Sequence, residues 1–153
     1  MIKDAYEKAR KEHPVLPEFD KINKEFEISL IENEDFLLRH VKRKIAERME
    51  PVLDILENSL NPDPNSLTAM YECRCYTNGE KKQIIDVFRH LMEQYRSLLE
   101  TDLIGEDELD AQTIRKLYDI WQQDKKIIIP LLKKLRECWQ KHVEPKEILE
   151  YLG

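Results

Sequence analysis

The sequence predicts an all-α protein, a single up-and-down helical bundle, and three observations carry that expectation. First, Ile114, Leu117, Trp121, Ile128, Leu131, Leu135 and Cys138 recur at steps of three and four, with one polar slot at Asp124. That spacing returns an apolar stripe to one face of a helix spanning about 107–143. Second, the 153 residues include only three glycines, which nearly excludes tight hairpins and glycine-rich phosphate loops. Third, only Phe26, Ile28 and Leu30 alternate like a strand, and a lone strand leaves its backbone groups unsatisfied.

In chain order, residues 2–12 form a short helix with Ala5, Tyr6 and Ala9 on one side. Pro14 and Pro17 end it, and residues 1–17 make an N-terminal arm anchored by Val15 and Leu16. Ile22, Phe26 and Leu30 place a helix within 18–32. Asn33 reads as the cap of a long helix through residue 60, with Leu38, Val41, Ile45, Met49, Val52, Leu56 and Leu60 inward. Pro51 should kink it or restart it. A loop at 61–65 leads to a helix of about ten residues capped by Ser66. Thr77 and Glu80 then match a capping box. They open a third long helix with Ile84, Ile85, Phe88, Leu91, Met92, Tyr95, Leu98 and Leu99 inward. Pro130 interrupts the last long helix, and Pro145 starts a short terminal one. Two long proline-interrupted helices, a third long helix and short flanking helices thus compose one domain over 1–153.

Apolar residues make up 41% of the chain, enough for a core, and charged residues 37%, alternating in sign as on solvated helix faces. The net charge of −6 argues against generic attraction to nucleic acid or anionic lipid. No apolar run approaches the length of a membrane span, and the first residues carry no apolar leader. Three cysteines (Cys73, Cys75 and Cys138) suggest reduced thiols rather than a disulfide frame. The expectation is a cytoplasmic protein with no resident cofactor and no membrane partner.

Four constellations bear on chemistry. Cys138 and His142 share a helical face, and with Cys73 and Cys75 they would complete a tetrahedral zinc site. Cys73-x-Cys75 lacks the two-residue spacer of zinc knuckles, and buried thiols are the plainer reading. Carboxylate-bridged di-iron chemistry needs Glu-x-x-His pairs, but Leu37, Val87 and Trp139 stand three residues before His40, His90 and His142. Asp86 and His90, four apart, have the spacing of a carboxylate orienting a general base, with no recognisable nucleophile beside them.

Arg136-Glu-Cys-Trp-Gln-Lys-His142 resembles the Arg-x(4–6)-His signature of higher eukaryotes and prokaryotes nucleotide-binding (HEPN) domains. The resemblance implies a helical-bundle ribonuclease in which Arg136 steadies phosphate and His142 serves the 2′-hydroxyl. Glu137 departs from the small polar residue or histidine usual after the arginine, and its charge would repel phosphate.

Two basic stretches, Arg39–Arg48 and Lys133–Lys141, would form a nucleic-acid groove if adjacent, although acids interrupt both and no aromatic alternates with them. The acids at 102–110 suit the positive end of a helix. Residues 127–132 are apolar all round, so either several helices enclose them or a partner covers Ile127, Ile129 and Leu132. The expected role is a non-enzymatic protein–protein interaction or assembly module that binds itself or another protein. The alternative is a nucleic-acid-associated protein or HEPN-like ribonuclease using the basic faces with Arg136 and His142.

Overall fold

The computed structural model describes residues 1–141; His142, the site of the nuclease and zinc readings, and the helix expected from Pro145 lie outside them. Among the described residues there is no strand. The helices are α1 (Ile2–Glu12), α2 (Phe19–Phe26), α3 (Leu37–Leu60), α4 (Leu67–Glu72), α5 (Asn78–Ile104) and α6 (Asp107–Gln140), with a single 3-10 turn at Ile28–Leu30. The fold is all-α, and the three long helices pack together. The chain forms two compact units, Met1–Glu50 with Glu93–Gln122 and Pro51–Met92 with Gln123–Gly153.

In the first unit, α1 and α2 bury Ile2, Tyr6, Phe19, Ile22 and Phe26. The Tyr6 hydroxyl donates to the Pro17 carbonyl at 2.7 Å, which ties the arm down, and Leu16 is buried while Val15 is exposed. Burial holds the Tyr6 phenol well above its ordinary pKa, so it stays a donor. Phe26 packs on Trp121, whose Nε1 donates to Glu25 at 3.1 Å.

The expected helix over 18–32 stops early, at Glu27 in the left-handed region (φ 55°), and the 3-10 turn follows. The next helix starts at Leu37 rather than beside Asn33. The Asn33 side chain accepts from the Asp35 backbone N–H at 2.8 Å, a local turn that competes with capping. Phe36 then takes φ 53° before α3 begins. Gly105, at φ 72°, makes the left-handed stop between α5 and α6 that a side chain would oppose.

In the second unit both expected caps form. Ser66 Oγ accepts from Ala69 N at 3.1 Å. Glu80 Oε1 accepts from Thr77 N at 2.9 Å while Glu80 N donates to Thr77 Oγ1 at 3.2 Å. The helix after Ser66 is six residues, shorter than expected. Tyr76 donates to the Leu131 carbonyl at 2.7 Å, and Tyr71 donates to the Cys138 carbonyl at 2.8 Å.

Neither Pro51 nor Pro130 restarts a helix: α3 and α6 run through them. Each proline removes one N–H and frees the carbonyl four residues earlier, at Glu47 and Lys126. Both prolines and both of those residues are exposed, so the freed carbonyls lie on the solvent side of their helices.

Along α5 the inward positions are Ile84, Val87, Leu91, Gln94, Leu98 and Thr101, again in steps of three and four. Ile85 and Leu99, expected inward, are exposed, because the true seam includes the polar Gln94 and Thr101.

Candidate interaction surface

Buried polar contacts fix how the helices of each unit present their outer faces. In the first unit Lys42 of α3 is only 1% exposed. Its Nζ donates to Thr101 Oγ1 at 3.0 Å, lies 2.7 Å from Asp110 Oδ1, and pairs with the Asp102 carboxylate. A cation with two carboxylates and a hydroxyl thus joins α3, α5 and α6. Taking such a lysine out of water is costly unless it is paired on every side, as here. Lys42 therefore leaves the basic face assigned to Arg39–Arg48, and Asp102 and Asp110 have a partner beyond the helix dipole. A cavity of about 270 Å³ beside this cluster is lined by Phe36, Arg39, Gly105, Asp107 and Asp110.

In the second unit, His90 pairs with Asp124 of α6 and not with Asp86. Its Nδ1 lies 3.1 Å and 3.0 Å from the two carboxylate oxygens. The polar slot in the α6 stripe is thereby explained: Asp124 is buried and satisfied by a part-exposed imidazole. A buried carboxylate can orient a histidine for proton transfer. No nucleophile is placed against it by any contact described, so the pair reads as a polar clasp between α5 and α6.

The cysteine expectation is overturned. Cys75, in the turn before α5, and Cys138, near the end of α6, form a disulfide across 63 residues, with Cα atoms 6.2 Å apart. Tertiary packing, invisible in their spacing, brings the two together. Cys73 is free, and its Sγ donates to the Met70 carbonyl at 3.2 Å. Sulfurs bonded to one another are not thiolates, so the zinc set of Cys73, Cys75, Cys138 and His142 loses two ligands. Among the described residues no group of three or more metal-ligating side chains converges.

Around the disulfide, the Tyr71 and Trp139 rings pack with centroids 4.3 Å apart and planes tilted by 47°, and Trp139 Nε1 donates to Glu72 at 3.0 Å. The Lys134 ammonium pairs with Glu80, and with the Thr77 N–H it holds the Glu80 carboxyl below its ordinary range.

The outer faces are uneven. Within the apolar run of α6, Ile128 and Leu131 are buried, whereas Ile127 is 38% and Ile129 57% exposed. Several enclosing helices therefore do not account for the run. Two residues apart on a helix is about 200°, so Ile127 and Ile129 lie on opposite flanks and cannot form one surface. Ile129 shares its face with the half-buried Leu132 at i+3 and with the exposed Lys126, Lys133 and Arg136. Arg136 of the proposed nuclease motif thus sits on this outer face.

A second apolar cluster, unforeseen from the sequence, marks the end of α5. Leu103 is 90% exposed, with Leu99 and Ile104 also exposed. Its one signal was the apolar pair Leu103-Ile104 directly before a helix stop at Gly105. No helix among the described residues is long and apolar enough to cross a membrane. No known protein family, characterised protein or solved structure matches the chain.

Proposed function

We propose that this chain is a non-enzymatic helical module for protein–protein interaction or assembly. The observation that carries the reading is the large apolar side chains left on outer helix faces, Leu103 above all. Exposed apolar clusters edged by charge are the usual signature of a covered surface. The test is sedimentation of the pure protein and of cell extracts containing it. Ile129→Glu or Leu103→Glu should change the sedimenting species in at least one setting, while helix content and melting midpoint stay constant. Indifference to both substitutions in both settings would overturn the reading.

The second reading is nucleic-acid association, favoured by Lys126, Lys133 and Arg136 on one exposed flank of α6. It predicts RNA binding that weakens steeply with salt and, for a nuclease, cleavage lost on His142→Ala with the fold intact.

A cytoplasmic setting belongs to the same proposal. There the Cys75–Cys138 bond would face a reducing thiol pool. Alkylation of acid-quenched cells, counting one modifiable cysteine per chain against three, tests the setting.

A further inference from the structure

A six-residue helix is too short to hold its shape alone, so α4 depends on what it is fastened to. Its fastenings to α6 converge on two neighbouring residues in the last turn of that helix. The Tyr71 hydroxyl donates to the Cys138 carbonyl at 2.8 Å and lies 3.7 Å from the Cys138 sulfur. The Tyr71 ring packs on Trp139, whose Nε1 donates to Glu72. Cys75, in the turn that follows α4, is bonded to Cys138 itself. The next ties along the chain, from Tyr76 to the Leu131 carbonyl and from Glu80 to Lys134, meet α6 further back and do not need the disulfide.

Of the ties between α4 and α6, only the covalent one is exempt from thermal breathing. The others are two hydrogen bonds and a ring contact, each weak by itself. Cys75 and Cys138 are both half-buried, so their sulfurs are not sealed in the core.

We propose that the Cys75–Cys138 bond is a redox latch on α4, closed in the disulfide and released by a low-molecular-weight thiol. The latch is independent of the assembly reading above. Release takes two exchanges. A thiolate RS⁻ attacks one sulfur, forms a mixed disulfide and expels the other cysteine as a thiolate, which takes up the proton that RSH gave. A second RS⁻ attacks the mixed disulfide, leaves as RSSR and frees the second cysteine in the same way. In sum, the protein disulfide and two RSH give the protein dithiol and RSSR, and two electrons pass to the protein. The reverse sequence closes the latch. Its second step is intramolecular, because Tyr76 and Lys134 keep the turn beside α6. With the latch released, residues 67–75 and the last turn of α6 open as one local unit while α5 and the rest of α6 stay docked. Opening uncovers both thiols and Tyr71, which is 9% exposed when docked.

The experiment is hydrogen–deuterium exchange of the full-length chain, resolved by peptide, with and without reduced glutathione. In the disulfide form the amides of 67–75 and 137–140 exchange slowly. Glutathione should speed them at least about tenfold more than it speeds the slow amides of α3 and α5. A staple acting on the unfolded chain alone would speed every slow amide by one common factor, and that outcome overturns the latch. A bond that glutathione leaves intact overturns it as well.

Tyr71→Phe gives a second measurement, since it drops the bond to the Cys138 carbonyl. It should speed the same amides in the reduced chain and leave them slow in the disulfide form. Equal acceleration in both forms would mean that the disulfide does not govern the opening. Finally, oxidised glutathione should restore the slow pattern and leave Cys73 as the single alkylatable cysteine. Bridges to Cys73, or a mixed disulfide that persists, would show that the latch does not close again.

Discussion

The two units hold their segments of the long helices together by different chemistry. In the first, a buried lysine with two carboxylates and a threonine joins α3, α5 and α6. In the second, a disulfide, two phenols donating to α6 carbonyls and a histidine–aspartate clasp do the corresponding work. The comparison teaches that charge and covalency fail differently. A buried ion cluster is tolerable only while complete, because removing one member leaves the others desolvated and unpaired. A disulfide acts chiefly on the unfolded chain, so its loss leaves native contacts in place.

The largest expected effect is therefore in the first unit. Lys42→Ala strands two carboxylates and should cost about 3–5 kcal/mol, read as a drop in the denaturant midpoint. Lys42→Met combined with Asp102→Asn and Asp110→Asn should recover much of that loss. A triple variant no more stable than Lys42→Ala would show that the charges themselves are needed.

Next comes the disulfide. Reduction by dithiothreitol should lower stability by roughly 2–4 kcal/mol for a loop of this length. The near-native far-ultraviolet spectrum should persist below the transition, because Tyr71, Tyr76 and Lys134 still fasten α6. The same reductant should leave Cys138→Ser unchanged, and a loss of equal size there would place the effect elsewhere.

A smaller effect is expected at the clasp. His90→Ala leaves the buried Asp124 carboxylate without its imidazole, at a cost of about 1–3 kcal/mol. Asp86→Ala should cost nothing measurable, which distinguishes the observed partner from the one suggested by spacing.

The smallest effect belongs to the cap of α5. Thr77→Ala or Glu80→Gln should cost about 1 kcal/mol at neutral pH. The Glu80 carboxyl is held below its ordinary value, first by Lys134 and then by the Thr77 N–H. Its stabilisation is thus full above the unfolded carboxylate pKa and lost as pH falls through the lower folded value. The midpoints of wild type and Glu80→Gln, followed from neutral to acid, should converge below that range.

Much of this was legible residue by residue. Ser66 and the Thr77/Glu80 pair announce helix starts because their partners lie within three residues. The α6 stripe is legible in the spacing, including the polar slot at Asp124, although the partner of Asp124 is not. Asn33 misled because its side chain serves a turn as readily as a cap. On α5, Ile85 and Leu99 drew the apolar reading away from a seam that runs through Gln94 and Thr101. Lys42 looked like one more surface cation, since a buried lysine has the same helical spacing as an exposed one. Ile127, Ile129 and Leu132 are alike in the sequence in being apolar, and helix geometry separates Ile127 from the other two.

What the sequence by itself determined was the all-α class, the three long helices and the caps that open α4 and α5. Those depend on interactions between residues one turn apart, and periodicity and cap residues record such interactions directly. The tertiary structure alone decided that Lys42 meets Asp102 and Asp110, that His90 meets Asp124, and that Cys75 meets Cys138. These pairs lie 34 to 68 residues apart in the chain, as the residue numbers show. Their meeting depends on the rotation and register of whole helices, which is set by the sum of many packing contacts and by no local pattern.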